Sequence, residues 1–389
     1  MAFVTESGFR HPNQRVVFRQ IRLEGTITRR QLAQTTDLSF QTIANIVSEL
    51  VDMELVVSDG LVNQSSGKRA ESLKINPDGL YAVGILLGRS GFEANLIDLL
   101  GHSKRRIVRS LSSLQPDNTL RVIADVVRDL VTTTNVSRER FAGVGIASPG
   151  PIDFRIGAIS QPPNFPGWSF VPLQQRLEDM LGCSVSLIKD SHAAALAEIW
   201  ALNTEAPSSM FYVYISAGIG GALVIDNRLW TGFLGNAGEI GHVVVGDGPR
   251  CDCGRQGCLE ACWSLDTAAR KMQVTVEELI NLLTNRVAPY WDDWIKGVPL
   301  LARAVVDVVN VLEPEVVMIG GEYRSHICSE LVSPLNDALQ REGFVHNLRP
   351  IVVRLATVEK AASIGAGLVE LSSALTSTVG TKGVLGLEI

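Results

Sequence analysis

The chain has 389 residues, of which 46% are hydrophobic and 20% are charged, and its formal net charge at pH 7 is −6. This length allows two or three domains with a sizeable buried core, and the acidic balance argues against a protein coated in nucleic acid. No segment is free of charges for long enough to span a bilayer, and the first residues lack the apolar core of a signal peptide, so we expect a cytoplasmic protein.

The six cysteines form a cluster and three isolated positions. Three of them lie within residues 251–258, and the others are Cys183, Cys262 and Cys328. In a reducing cytoplasm a cluster of this kind is more typical of a metal site than of disulfides. The isolated cysteines stand in apolar stretches, which predicts core residues.

Residues 1–75 begin with the pattern of three helices joined by short turns. Gly25 ends the first helix, and Thr28 followed by Gln31 matches a capping box that opens a short second helix. Ser39 is positioned to cap the third helix. This third helix is amphipathic, because one of its faces is aliphatic: Ile43, Ile46, Val47, Leu50 and Val51.

The opposite face of the third helix carries Gln41, Thr42 and Asn45. A short helix, a tight turn and a third helix with such a face predict a helix-turn-helix. Gln and Asn side chains can bind adenine through two hydrogen bonds in the major groove. We therefore predict that these three residues contact DNA. The alternative is a helical bundle that binds other proteins and leaves its polar face in water.

Two predicted strands follow, around a small, basic loop that contains Lys68 and Arg69. Such a loop is typical of a wing that touches phosphates or the minor groove, and we add both residues to the predicted DNA contacts. Residues 1–75 hold nine Lys and Arg against eight Asp and Glu, which leaves −7 for the remainder. A weakly positive module therefore precedes an acidic body.

From Tyr81 onward the pattern changes to strands. The stretch YAVGILLGRSGFEANLIDLLG is an apolar run, a turn and a second apolar run, and MFYVYISAGIGGALVIDNRLWTG repeats that plan. Each stretch is followed by alternating helical and strand patterns. This repetition predicts a duplicated α/β body with a cleft between its halves.

One histidine and three cysteines in AGEIGHVVVGDGPRCDCGRQGCLEA form a candidate metal site. One imidazole nitrogen and three thiolates make a full tetrahedral set for Zn²⁺, which leaves no open position, so we predict a structural zinc ion. Reduced cysteines in a flexible loop are the alternative. The predicted ligands are His242, Cys251, Cys253 and Cys258.

The motifs and their order resemble the ROK family, which groups sugar-responsive repressors with sugar kinases. The helix-turn-helix is followed by SPGPID, PPNFPGW, AGEIGH, CDCGRQGCLE and PEVVMIGG, and the resemblance covers nearly the whole chain. It implies a winged helix-turn-helix over residues 1–75 and an actin-like, sugar-kinase-like body with a ribonuclease H-like fold. The N-terminal lobe would span residues 76–190, joined by the C-terminal helix at about 360–389, and the zinc-containing lobe residues 191–359.

The resemblance also implies ligand-binding residues. In sugar-binding members of the family, two glutamates and the histidine of these motifs touch the sugar, and they match Glu239, Glu260 and His242. Asp190 matches the aspartate that acts as general base in the kinases. The histidine would use one ring nitrogen for zinc and offer the other to a hydroxyl, so that the metal fixes the ring.

The phosphate loops depart from those of the family kinases. Their first loop reads Asp-x-Gly-Gly-Thr, whereas this chain has LLGRSG, with Leu86 for the aspartate and Arg89 for the second glycine. These changes remove a magnesium ligand and add bulk where the backbone approaches phosphate. In the second loop Ala217 replaces threonine. We therefore predict that the chain is not an enzyme and that Asp190 is a vestigial base.

Lys189 stands where sugar sites of the family usually have asparagine. An amide donates and accepts hydrogen bonds, whereas an ammonium only donates. If Lys189 points into the site, an acidic or phosphorylated sugar is favoured. If it points outward, it has no bearing on the ligand.

These observations predict a sugar-responsive transcriptional regulator, and a repressor is favoured. Its predicted partners are double-stranded operator DNA, a sugar or sugar derivative, and further copies of the chain in a homodimer or homotetramer. An ATP-dependent sugar kinase with a DNA-binding arm is the alternative, and a body that senses a partner protein instead of a sugar is a third possibility.

Overall fold

The computed structural model describes residues 8–63, 69–160, 162, 165, 167–342, 344, 350–376 and 384–386. The chain divides into two units. Met1–Ile188 with Ser363–Gly380 and Leu387–Ile389 form the first, and Lys189–Ala362 with Thr381–Gly386 form the second. Within the described residues, no helix combines the length and apolar character needed to cross a membrane.

The first unit begins with three helices and a small sheet, the arrangement of a winged helix-turn-helix. The helices are α1 (Pro12–Glu24), α2 (Arg29–Thr35) and α3 (Phe40–Asp52). The strands are β1 (Ile27–Thr28), β2 (Val56–Asn63) and β3 (Arg69–Ile75), in the antiparallel order β1-β3-β2. The predicted hairpin after the third helix is therefore confirmed.

Local capping signals explain where the helices start. The Thr28 side chain accepts a hydrogen bond from the Gln31 amide, and the Gln31 side chain accepts one from the Thr28 amide, so the predicted capping box is confirmed. Ser39 caps α3 through the Thr42 amide. The aliphatic face of α3 is buried except at Val51, which is 41% exposed. Val51 lies at the edge of this aliphatic stripe, in the last turn of the helix.

The rest of the first unit is built on a five-stranded sheet with the order β11-β7-β4-β5-β6. Its strands are β4 (Tyr81–Gly88), β5 (Gly91–Asp98), β6 (Ser103–Ser110), β7 (Phe141–Ser148) and β11 (Val185–Lys189). Three short strands form a separate sheet: β8 (Ile152–Asp153), β9 (Ala158–Ser160) and β10 (Ser169–Val171). Two amphipathic helices bury their apolar faces in the same core, α4 (Pro116–Thr133) and α5 (Leu173–Leu181).

The second unit has a six-stranded sheet with the order β16-β15-β12-β13-β14-β17. Its strands are β12 (Ser209–Ile215), β13 (Ile219–Ile225), β14 (Arg228–Trp230), β15 (Val316–Gly321), β16 (Val352–Leu355) and β17 (Val384–Gly386). Its helices are α6 (Asp190–Leu202), α7 (Leu259–Cys262), α8 (Leu265–Met272), α9 (Val276–Thr284), α10 (Tyr290–Ile295), α11 (Val298–Leu312) and α12 (Ser329–Glu342).

The two sheets repeat one plan. In the first unit β4 pairs antiparallel with β5 and parallel with β7. In the second unit β12 pairs antiparallel with β13 and parallel with β15. The duplication predicted from the two hairpin patterns is therefore confirmed.

The C-terminal helix α13 (Ala361–Thr376) lies with its backbone directly on the first unit's sheet. A Cβ atom on Gly84 would lie 1.8 Å from the Ser363 carbonyl oxygen, and one on Gly145 would lie 1.8 Å from the Ala366 carbonyl oxygen. Only glycine permits so close an approach. The glycines of β4 and β7 therefore position this helix.

Arg140, which precedes β7, connects the winged helix to the rest of the first unit. Its Nη1 donates a hydrogen bond to the Asp78 carbonyl at 3.1 Å, and its Nη2 pairs with the carboxylate of Glu54, which follows α3. The Asn76 side-chain amide donates to the Glu54 carbonyl at 2.7 Å. These polar contacts connect the segment that contains Asn76 and Asp78 to the winged helix through Glu54 and to the body through Arg140.

Candidate functional site

The four predicted metal ligands lie together in the second unit. One ligand atom from each of His242, Cys251, Cys253 and Cys258 lies within 4.8 Å of all the others. His242 Nδ1 is 3.5 Å from Cys251 Sγ, and Cys253 Sγ is 3.6 Å from Cys258 Sγ. For a tetrahedral centre, Zn–S and Zn–N bond lengths imply about 3.8 Å between two sulfurs and about 3.5 Å between sulfur and nitrogen. The cluster thus has the donor set and spacing to hold a metal ion.

The backbone around the cluster is closed by short-range contacts. Val244 and Cys258 form an isolated antiparallel bridge, and Gly257 has a φ of +76°, which lets the chain turn back to the last cysteine. The His242 carbonyl accepts a hydrogen bond from the Arg255 guanidinium. A hydrogen bond from the Arg255 backbone lowers the pKa of the Cys253 thiol to about 7, which favours the thiolate form that binds metals.

The first turn of α6 faces the segment that precedes His242. Lys189 Nζ lies 2.6 Å from Glu239 Oε1 and donates to the Ala237 carbonyl at 3.3 Å. His192 Nε2 is 2.9 Å from the same carbonyl. Burial, and secondarily Lys189, lowers the pKa of His192 to about 3, so the ring is neutral and its Nε2 carries the proton that it donates. Two donors therefore hold the Ala237 carbonyl.

Of the two orientations considered from the sequence, Lys189 takes the inward one, toward the predicted ligand-binding residues. Its side chain is only 3% exposed, so it does not point outward into water. Its ammonium is paired with Glu239, one of the predicted ligand-binding residues. Lys189 and Glu239, both predicted to bind the ligand, are thus paired with each other. Sequence patterns do not predict this ion pair, because nothing in the local pattern indicates where a long side chain ends.

Asp190 is the first residue of α6, and its side chain is partly buried. Its pKa is raised from 3.8 to about 6, mainly by loss of solvation and to a smaller extent by the nearby carboxylates of Glu239 and Glu260. Lys189 and the Ser191 amide, which donates to Asp190 Oδ1 at 2.7 Å, act in the opposite direction. A carboxyl with such a pKa titrates near neutral pH and is available to accept hydrogen bonds from hydroxyl groups.

Glu260, in α7, contacts the second glycine loop. Its Oε2 accepts a hydrogen bond from the Ile219 amide at 3.0 Å. A Cβ atom on Gly218 would lie 2.6 Å from the same oxygen, so the loop needs glycine there. Sequence reasoning did not find this contact, although the glycine-rich loop was the available signal.

The first glycine loop is the turn between β4 and β5. Leu86 lies within β4, and Arg89 is in the two-residue turn that joins the strands. In the second loop the Ala217 carbonyl accepts a hydrogen bond from the Asp266 amide at 2.9 Å. Neither Leu86 nor Ala217 has a side chain that can bind Mg²⁺ or phosphate.

The predicted DNA contacts of α3 lie on its exposed side. Gln41 Nε2 donates to Asn45 Oδ1 at 3.0 Å, and both side chains are exposed. Thr42 lies beside them in the first turn. Arg69 begins β3 opposite Asn63, whereas Lys68 lies outside the described residues.

Comparison with known proteins gives matches over most of the chain. The sequence model of the ROK family matches residues 82–369. The xylose repressor of Bacillus subtilis is 28% identical over 276 residues, which are 69% of this chain and 71% of that protein. The glucokinase of Thermotoga maritima is 31% identical over 315 residues, which are 74% of this chain and 96% of that protein.

One of the matching solved structures covers nearly the whole chain. The crystal structure of a ROK family transcriptional regulator, a homologue of the E. coli MLC protein, has a TM-score of 0.77 at 22% sequence identity. The match covers 93% of this chain and 96% of that chain, which shows that the two share their fold from end to end.

Proposed function

The chain belongs to the ROK family, and we propose that it is a sugar-responsive transcriptional repressor. The observation that carries this proposal is the arrangement of three helices and an antiparallel hairpin that precedes the family domain, because it is typical of a winged helix-turn-helix. Similarity to a xylose repressor and the fold shared with a ROK regulator support it. A repressor acts on chromosomal DNA, so we also propose the cytoplasmic location that is expected from the sequence.

We propose that DNA is read by α3 and the wing. Gln41, Thr42 and Asn45 would contact base edges in the major groove, while Lys68 and Arg69 would bind phosphates or the minor groove. A homodimer or homotetramer would present two such modules to a near-palindromic operator. The boundaries 1–75, 76–190 with about 360–389, and 191–359 are our proposed domain limits.

The ligand that we propose is a sugar or sugar derivative, bound by Asp190, Glu239, His242 and Glu260, with Lys189 paired to Glu239. Carboxylates accept hydrogen bonds from hydroxyls, and the three carboxyl groups in this part of the second unit provide several acceptors. Because His242 turns Nδ1 toward the cysteines, its Nε2 is the ring nitrogen left for a ligand.

We further propose that the cluster of His242, Cys251, Cys253 and Cys258 binds a structural Zn²⁺. The sulfur–sulfur and sulfur–nitrogen spacings fit this ion, and four protein ligands complete its tetrahedral shell. When bound, zinc supplies a rigid crosslink and no reaction chemistry. His242 and the two ends of the cysteine segment then hold the ligand-facing side chains in place.

A sugar kinase is the second candidate function, favoured by the similarity to a glucokinase and by Asp190 at the position of the catalytic base. Against it stand Leu86, Arg89 and Ala217, since the phosphate loops lack the magnesium-binding carboxylate and the threonine hydroxyl. The test is phosphate transfer from ATP–Mg²⁺ to a panel of sugars. Turnover at ordinary kinase rates that Asp190→Asn abolishes would replace the repressor proposal by the kinase.

The repressor proposal is tested by fluorescence anisotropy on a labelled duplex taken from upstream of the protein's own gene. We expect saturable binding at fixed salt that one sugar shifts by a coupling free energy of about 1–3 kcal/mol. Binding that no sugar changes, but that a captured partner protein relieves, would instead support the protein-sensing alternative. The proposal would be contradicted if the protein does not bind its own upstream region and if an affinity selection enriches no genomic fragment.

A further inference from the structure

Lys189 carries a buried positive charge in the proposed ligand site. Its side chain is 3% exposed, and its ammonium lies 2.6 Å from Glu239 Oε1. A buried ammonium is costly unless an opposite charge and hydrogen-bond acceptors satisfy it. Glu239 supplies that charge and the Ala237 carbonyl supplies a further acceptor, so two of the three ammonium protons are engaged.

The position of this ion pair is fixed by its neighbours. His192 also binds the Ala237 carbonyl, at 2.9 Å, and is fully buried in α6. Two donors therefore hold this carbonyl: Lys189 immediately before α6 and His192 in its first turn. They also hold the segment that leads to Glu239. The Glu239 side chain is 40% exposed, so one carboxylate edge meets Lys189 while the side chain still reaches the surface.

The charges around the pair are unbalanced. Asp190, Glu239 and Glu260 bring three carboxylates, which interact with one another through Asp190, against the single ammonium of Lys189. Loss of solvation is the main cause of the raised pKa of Asp190, and the two other carboxylates add to it, so an ionised group is unfavourable at this position. An anionic ligand would meet this excess, because Glu239 already compensates the charge of Lys189.

A cationic ligand meets a different obstacle. An amine placed against Glu239 would have to displace Lys189, which would then remain buried without its counter-charge. Uncharged hydroxyl groups face neither penalty, because they donate to carboxylates and leave the ion pair intact.

We propose that the Lys189–Glu239 ion pair is a charge filter that sets the selectivity of the ligand site, and that removing either partner opens the site to ligands carrying the charge of the partner removed. This inference rests on the proposed function, because it assigns a selectivity mechanism to the same ligand site. Lys189→Met leaves Glu239 unpaired, so the amine of a ligand can take the place of the ammonium. Glu239→Gln releases Lys189, so a carboxylate of a ligand can take the place of Glu239.

The test uses two matched sets of ligands: D-glucose, D-glucosamine and D-glucuronate, and D-mannose, D-mannosamine and D-mannuronate. Dissociation constants are measured by calorimetry on the full-length protein near neutral pH. We expect the neutral sugar to bind tightest to the wild type. The affinity of the amino sugar, relative to that of the neutral sugar, should rise about tenfold or more in Lys189→Met. The relative affinity of the uronate should rise about tenfold or more in Glu239→Gln.

Two further variants separate selectivity from folding. Lys189→Arg keeps the charge and should retain wild-type selectivity, and Lys271→Met removes an exposed lysine of α8 and should shift no ratio. The urea midpoint is also measured for both single variants and the double variant, and we expect the double variant to lose less than the sum of the single losses.

The outcomes distinguish this inference from the proposed function. If the wild type binds sugars but both variants change all three affinities by one common factor, the filter is refuted and the repressor proposal stands. Tighter binding of a uronate than of its neutral parent by the wild type would refute it as well. If no sugar of either set binds any form while operator binding persists, sugar sensing and the filter both fail.

Discussion

Asp190 is a residue at which folding and the proposed ligand binding have opposite requirements. Its pKa of about 6 lies above its ordinary value of 3.8, so the folded protein favours the neutral carboxyl. The ionised form that accepts hydrogen bonds from a ligand therefore destabilises the fold at neutral pH. This destabilisation is full above the folded-state pKa and disappears as the pH falls toward the unfolded-state value.

We expect Asp190→Asn to raise the free energy of unfolding by about 1–2 kcal/mol near pH 8, because it removes a poorly solvated charge. The gain should shrink as the pH approaches about 4, where the wild-type carboxyl is protonated. The same substitution should abolish the ligand response. Urea denaturation at several pH values measures the first effect, and ligand titration measures the second.

The matched control is Asp307→Asn, which changes an exposed aspartate of α11 in the same unit. It should alter neither stability nor ligand response. A stability gain for Asp190→Asn that does not depend on pH would show that the charge is not its cause. The facing charged groups are Lys189, Glu239 and Glu260, so each of them has to be intact in this comparison.

Cys253 is the exposed member of the proposed zinc cluster. We expect Cys253→Ser to lose bound zinc, to lower Tm by about 5 °C or more, and to weaken the ligand response, because His242 belongs to both sites. Metal analysis, thermal denaturation and ligand titration measure these effects. Cys262→Ser is the control, since Cys262 follows the cluster without belonging to it. Normal zinc content and ligand response in Cys253→Ser would remove the cluster from the proposal.

At the scale of the element, α3 presents Gln41 and Asn45 as a hydrogen-bonded pair. In the proposed DNA contact, this hydrogen bond would orient the two amides before binding and so lower the entropy lost on binding. The pair is four residues apart on one helix, so the helical repeat alone brings the side chains together. The element therefore offers a preorganised polar surface and not two independent contacts.

We expect Asn45→Ala to weaken specific DNA binding by about 1–3 kcal/mol without changing ligand affinity. Gln41→Ala should do the same, and the double variant should lose less than the sum, because each single change already disturbs the pair. Anisotropy on operator and scrambled duplexes measures the effect. Gln20→Ala on α1 is the control. Equal losses on both duplexes would mean that α3 does not read sequence.

At the scale of the whole molecule, the winged helix is bound to the rest of the first unit by defined contacts. Arg140 bridges Glu54 and the Asp78 carbonyl, and the Phe9 amide donates to the Leu375 carbonyl at the end of α13. A module connected in this way can follow changes in the body, whereas one on a flexible tether could not. Coupling between ligand and DNA requires such a connection.

We expect Arg140→Met to reduce the effect of ligand on DNA affinity several-fold, toward no effect, while the separate affinities for ligand and DNA change little. The comparison is a DNA titration with and without saturating sugar. Arg121→Met, which changes an exposed arginine of α4, should leave the coupling intact. An unchanged coupling factor in Arg140→Met would show that the signal reaches DNA by another route.

The sequence by itself determined the local features. The capping residues Thr28 and Ser39, the aliphatic stripe of α3 and the paired hairpins follow from short-range rules, so the winged helix and the duplicated body could be predicted. The metal cluster was also predictable in composition, because its three cysteines lie close together in the chain and glycines allow the tight turn. Even here, the extent of burial at Val51, the edge residue of the α3 stripe, depends on the partner surface and not on the pattern.

Only the tertiary structure decided which side chains of the candidate ligand site contact one another. Lys189 meets the segment of Ala237 and Glu239 across about fifty positions, Glu260 meets the Ile219 amide, and Arg140 meets Glu54. No periodicity or spacing encodes these contacts, because they depend on the path of the backbone between distant segments. For the same reason the partner of the Lys189 ammonium could not be predicted from the residue type, because a flexible side chain extends to wherever the fold places its counter-charge.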